Sequence, residues 1–249
     1  MKKLVVGMAI FSVTLFSTES ILLEKLQDVL PWNKEGSTIL TTRELAITQK
    51  DSFFPTNKLL DVPLLNQFEE PHLNKGCEVT SLAMILNHHG VNVTKNELAA
   101  KINTVPFEYP NKKKGNPHVG FVGDMADGPG LSVYNEPIFD LAKEYAGDKV
   151  VNLTNSPFED LLRKVGRGVP VWVIITTKYS PGTAKFEKWD TLQGTIYVTF
   201  NVHSVVITGY DQNYIYMNDP FGFKNRKVDK KNFKLAWEEM GSQAIAIEK

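Results

Sequence analysis

Residues 201–220 read NVHSVVITGYDQNYIYMNDP. Two runs rich in β-branched and aromatic residues flank Asp211-Gln212-Asn213, the pattern of strand, turn and strand. Side chains alternate along a strand, so His203 falls on the face that carries Val205 and Ile207. A polar ring is thereby aligned with aliphatic core residues. A three-residue turn pairs Tyr210 with Tyr214 and Val205 with Asp219. Asp219 then becomes a diagonal neighbour of His203, with backbones roughly 7–8 Å apart. A two-residue turn would put the two on opposite faces. Read separately, Asp219-Pro220 is a strand-ending turn and His203 a core histidine.

Outward from this hairpin, VPVWVIITT (169–177), TIYVTF (195–200) and QAIAIE (243–248) also read as strands, with a helix expected near 230–240. The N-terminal side is helical. Val79, Leu82, Ala83 and Leu86 recur at helical spacing and predict one buried face over 77–88, stopped by Gly90. Thr94-x-x-Glu97 is a capping box for a short helix to about Ile102. A further helix is expected over 136–146. The next has Ser156 as N-cap, Pro157 at its first position and Glu159 closing the box. LLDVPLL (59–65) reads as the first strand. Residues 105–134 show little periodicity; so long a stretch is often functional. Helices first and an antiparallel sheet after them predict an α+β domain.

The chain has 249 residues, with 28 Lys and Arg against 28 Asp and Glu and a net charge of +0. That balance gives no electrostatic case for nucleic acid. Lys112-Lys113-Lys114 reads as a solvated loop tip. At the N-terminus, Lys2-Lys3 precede an apolar run from Leu4 to Phe16, the n-region and h-region of a secretory signal. The run is shorter than the about 20 residues of a spanning helix. Residues 1–18 are therefore expected to be a signal peptide or N-terminal anchor, 19–55 a tether or pro-like segment, and 56–249 the main domain. Secretion follows, with membrane or cell-wall association through the N-terminus as the alternative to release.

The five histidines include no H-E-x-x-H, and there is no C-x-x-C, so neither a zinc site nor any other cofactor is expected. The chain has one cysteine, Cys77, in NKGCEVTSLAMILNHHG (74–90). Export usually comes with paired cysteines. A lone thiol is an inert buried group, an intermolecular bridge or a reactive centre. Taken alone, Cys77 reads as a small buried hydrophobe. Its place after Gly76 at a helix start favours the thiolate, and an acidic thiol is expected. Such a nucleophile needs a base and an orienting acceptor, and His203 with Asp219 provides both. Gln67 or Asn66, with the backbone N–H of Cys77, could supply the oxyanion donors.

VPLLNQ, GCEVTSLAMILNHHGV, GNPHVGFVG, HSVVITGYD and YMNDP occur in that order. The set resembles the C39-like branch of the papain-like cysteine peptidases, relatives of the double-glycine leader peptidases, over most of residues 58–247. The resemblance implies a papain-like fold in which an N-terminal helical part carries the nucleophile and a C-terminal antiparallel sheet carries the histidine and aspartate. It implies roles for Cys77, His203 and Asp219, with Gln67 as oxyanion donor, and a peptide or protein substrate for a monomer. Leader-processing relatives are fused to a membrane-spanning transporter that is not seen here, so double-glycine specificity is not carried over. Two other activities stay open: acyl transfer of the transglutaminase kind, and peptide binding without turnover.

Overall fold

The computed structural model describes residues 55–249. The expectations for 1–18, and for all of 19–55 but its last residue, lie outside the described residues. The chain runs β1 (Lys58–Leu59), α1 (Cys77–His88), α2 (Lys95–Lys101), β2 (Thr104–Val105), β3 (Phe121–Val122), α3 (Asn135–Ala146), β4 (Val150–Asn152) and α4 (Phe158–Gly166). It continues through β5 (Val171–Thr176), β6 (Glu187–Thr191), β7 (Gly194–Val198), β8 (Val202–Tyr210), β9 (Tyr214–Asp219), β10 (Phe223–Asp229), α5 (Lys230–Glu239) and β11 (Ala244–Ile247). This is the α+β arrangement expected, helices leading and sheet following.

The main sheet has the order β10-β9-β8-β5-β11-β4, and β1 pairs with β8 beyond the end of β5. Every pairing in it is antiparallel. All of β5 and β8 is buried, because helices α1, α4 and α5 pack against these two strands. Strands covered on both faces lose the apolar–polar alternation that marks a half-buried strand. That is why Ser204 and Thr208 are as buried as the valines between them.

α1 differs from its expected form. Residues Cys77 to Leu86 are all buried, Glu78, Thr80 and Ser81 included. An amphipathic stripe was expected; the helix is instead central, packed on α2, α3, β5 and β8. The capping box of α2 forms as read: Thr94 accepts from the Glu97 backbone, and Glu97 receives the Thr94 N–H at 2.7 Å. α4 starts one residue later than read, with Pro157 at the N-cap and no side-chain cap from Ser156. The strand expected over 59–65 shortens to Lys58–Leu59; Pro63 has no N–H to give a ladder.

The hairpin at 201–220 keeps its site register by way of a bulge. The turn leaves Tyr210 opposite Ile215, not Tyr214. Continued downward, that register would place Asp219 opposite Val206. A β-bulge between Ile207 and Gly209 absorbs Thr208, so that Ile207 pairs with Met217 and Val206 with Asn218. The added residue cancels the shift made at the turn. Val205 is thus brought level with Asp219.

β6 and β10 are polar strands, without the apolar and β-branched content that marks a strand in sequence. β6 and β7 form a hairpin whose Trp189 and Val198 share a small cluster with Val105, Val122 and Leu131. The 105–134 segment therefore has its own packing, including the parallel pair β2–β3.

Candidate active site

Cys77 is the first residue of α1 and is buried. Gly76 before it has φ −96°, so no left-handed conformation selects glycine here. The reason is contact: a Cβ at Gly76 would lie 2.5 Å from Leu73 Cβ. α1 packs against β8, the strand that carries His203.

The expectation of an acidic thiol is overturned. Burial first, and the Glu78 carboxylate second, push the thiol well above its ordinary value; the N–H groups of Ser204 and Cys77 act in the opposite sense and are outweighed. The partial positive charge of a helix start is modest, whereas removing a thiolate from water is expensive.

His203 Nε2 and Asp219 Oδ1 are 2.9 Å apart, and the two side chains are 1% and 0% exposed. Burial would raise the Asp219 carboxyl. Its hydrogen bond and charge interaction with His203 overturn this, helped by the Tyr179 hydroxyl and the Phe221 N–H, and hold it down at about 2. An ionised carboxylate only accepts, so Nε2 carries the proton and Nδ1 is left as the basic nitrogen. Phe221 lies against the imidazole, ring centroids 4.2 Å apart, and Phe68 stacks on Phe221 at 5.4 Å.

Asn218, the neighbouring amide, belongs to other partners. Its Nδ2 donates to Val62 O at 3.0 Å, and its Oδ1 accepts from Asn225 N at 3.0 Å. Gln67 is buried near the start of the loop that leads to Cys77. Its Nε2 donates to Leu73 O and Asn74 O, both at 3.1 Å, and its buried Oε1 has no partner. Both amide hydrogens are thus engaged in bracing the 67–76 loop, a geometry different from that of a free oxyanion donor. Asn66 Oδ1 receives the Phe68 N–H at 2.9 Å.

Three groups at the site were not picked out from the sequence. Glu78 is fully buried beside Cys77, and its Oε1 accepts from Ser132 Oγ. Its place in the first turn of a helix reads as a dipole partner, and nothing local marks it as buried. Tyr179 and Arg226 both donate to Asp219 Oδ2. They lie in polar stretches without periodicity and carry no local signal. Among the described residues, no three His, Cys, Asp or Glu side chains converge as metal ligands would.

The fold is thus an α+β domain with a lone buried thiol at a helix start and a buried histidine–carboxylate pair on neighbouring strands. The model of the Peptidase_C39 like family matches residues 59–245, and the chain belongs to that family. It is similar to the uncharacterised protein YvpB of Bacillus subtilis (strain 168), 51% identical over 204 residues, which are 82% of this chain and 81% of YvpB. It is also similar to a crystal structure from Bacillus anthracis assigned as a C39-like peptidase. There the TM-score is 0.74 and the identity 40%, covering 78% of this chain and 98% of the other.

Proposed function

We propose that the protein is an exported cysteine peptidase with a papain-like layout, hydrolysing a peptide or amide bond at Cys77. The observation that carries this reading is the buried His203–Asp219 hydrogen bond of 2.9 Å, with His203 on the strand against which the Cys77 helix packs. Family membership supports it. Export rests on Lys2-Lys3 and the apolar run that follows them.

Because the thiol is held neutral, its proton leaves as attack occurs. The sulfur bonds to the scissile carbonyl carbon while Nδ1 of His203 takes the proton. Asp219 stabilises the resulting imidazolium. The carbonyl oxygen, now an oxyanion, is met by the Cys77 backbone N–H, with Gln67 joining only if substrate displaces one of its two carbonyl acceptors. Collapse expels the amine, which takes the proton from His203 and leaves a thioester. Water, deprotonated by His203, attacks the thioester and releases the acid and the thiol.

Iodoacetamide labelling of the purified full-length chain tests this. Labelling at Cys77 is expected, absent in Cys77→Ser and slowed about a hundredfold or more in folded His203→Ala, the lower end of the range for loss of a general base. Equal labelling of wild type and His203→Ala would refute a Cys–His site.

A further inference from the structure

We propose that Tyr179 and Arg226 are positioning residues that clamp Asp219 from the side opposite His203; the proposal rests on the cysteine-peptidase reading above. The two carboxylate oxygens divide their partners. Oδ1 meets His203 Nε2 at 2.9 Å and the Phe221 N–H at 3.0 Å. Oδ2 accepts from the Tyr179 hydroxyl at 2.6 Å and from Arg226 Nη1 at 2.9 Å. Nη1 also lies 3.2 Å from the Tyr179 oxygen, so the three groups close a triangle. With Oδ2 held, the carboxylate has no freedom to turn, and Oδ1 stays on His203.

The backbone on both sides is distorted in ways that serve this contact. β10 pairs Phe223 with Asp219 but Arg226 with Met217. Regular pairing from Phe223 would put Asn225 opposite Met217 and turn Arg226 to the other face. A bulge, with Asn225 at φ 50°, shifts the register and aims Arg226 at the face of Asp219. Tyr179, in the turn after β5, has φ 54°. A bulky aromatic residue is rare in that left-handed region, and such strain persists only where the surroundings enforce it. The guanidinium is also held between two rings, 4.8 Å from the Tyr179 centroid and 4.4 Å from that of Phe223. Two unrelated segments thus adopt unusual conformations and converge on one carboxylate oxygen.

The test is a double-mutant cycle on the full-length chain, read as the iodoacetamide alkylation rate of Cys77 against pH. Tyr179→Phe and Arg226→Ala are each expected to slow alkylation near neutral pH about tenfold, the scale of a lost hydrogen bond to a charged group. Arg226→Lys restores the charge but not the fixed fork and is expected to recover only part of the rate. In an Asp219→Ala background the same two substitutions should have little further effect, since they act through Asp219. Circular dichroism and the thermal midpoint select the variants that remain folded. A loss of equal size with and without Asp219 would show a merely structural role and overturn the proposal, as would no loss at all. If His203→Ala also fails to slow wild-type alkylation, the peptidase reading itself falls. If His203→Ala slows it while Tyr179→Phe and Arg226→Ala do not, only the clamp falls.

Discussion

Glu78 sits next to the nucleophile in sequence and in space, yet the proposed chemistry gives it no proton to move. Its carboxylate is completely buried, and Oε2 has no hydrogen-bond partner that meets ordinary geometry. Burial raises its own pKa, and its charge raises that of Cys77. Glu78→Gln removes that charge while keeping an oxygen for Ser132. The thiol is therefore expected to ionise at lower pH, seen as alkylation that begins at lower pH than in wild type. An unchanged onset would mean that Glu78 is neutral throughout. The pair Asp219 and Asn218 separates chemistry from scaffold in the same way. Asp219→Ala strips His203, Tyr179 and Arg226 of a common acceptor and should slow labelling at least about tenfold. Asn218→Ala should instead lower stability by about 1–3 kcal/mol, through the orphaned Val62 carbonyl and Asn225 N–H, with labelling little changed. The reverse ranking, in folded variants, would move the orienting role to Asn218.

The loop from Gln67 to Gly76 connects two elements of the site, the hairpin end and α1. Gln67 N donates to Pro220 O at 2.9 Å, just past Asp219, and its side chain holds the carbonyls of Leu73 and Asn74. The loop thereby fixes where α1 starts. Gln67→Ala is expected to destabilise the fold by about 1–3 kcal/mol, read as a thermal midpoint lower by roughly 2–12 °C. A midpoint that does not move, with labelling reduced, would assign Gln67 to the oxyanion alone. The paired strands show a similar division of labour. Regular alternation places His203 on its face, but two bulges, at Thr208 and around Asn225, decide which residues of β9 and β10 share that face.

For the whole molecule, Asp219 ties the site to acid stability. Its folded pKa of about 2 lies below the ordinary 3.8. A depressed carboxyl contributes stability that is complete above its unfolded value and is lost as pH falls through its folded value. The contribution is about 2 kcal/mol, present above about pH 4 and lost towards pH 2. Guanidinium unfolding between pH 2 and 5 should show this decline, and Asp219→Asn should flatten it. A decline of the same size in the variant would place the acid sensitivity elsewhere. The core around the site is continuous: residues from α1, β5, β8, α5 and β11 share one buried cluster. Loss of the buried pair is therefore expected to weaken the whole cooperative unit.

Local rules of sequence were enough for the helix that begins at Cys77, the capping box at Thr94, the hairpin at 201–220 and the face occupied by His203. Each depends on neighbours within about four residues, where backbone periodicity and side-chain chemistry act directly. The ordered motifs were enough for the family. Tertiary structure alone decided the rest. The turn leaves Tyr210 opposite Ile215, where a three-residue turn would leave it opposite Tyr214, and only pairing with β5 and β1 on one side and β9 on the other shows that Thr208 restores the register. The helix start is visible in the sequence and argues for an acidic thiol, but the burial that reverses the sign comes with packing of α1 on β5 and β8, far away in the chain. Tyr179, Asp219 and Arg226 meet across 47 residues of sequence; no local pattern encodes such a contact, because it exists only once the sheet has closed.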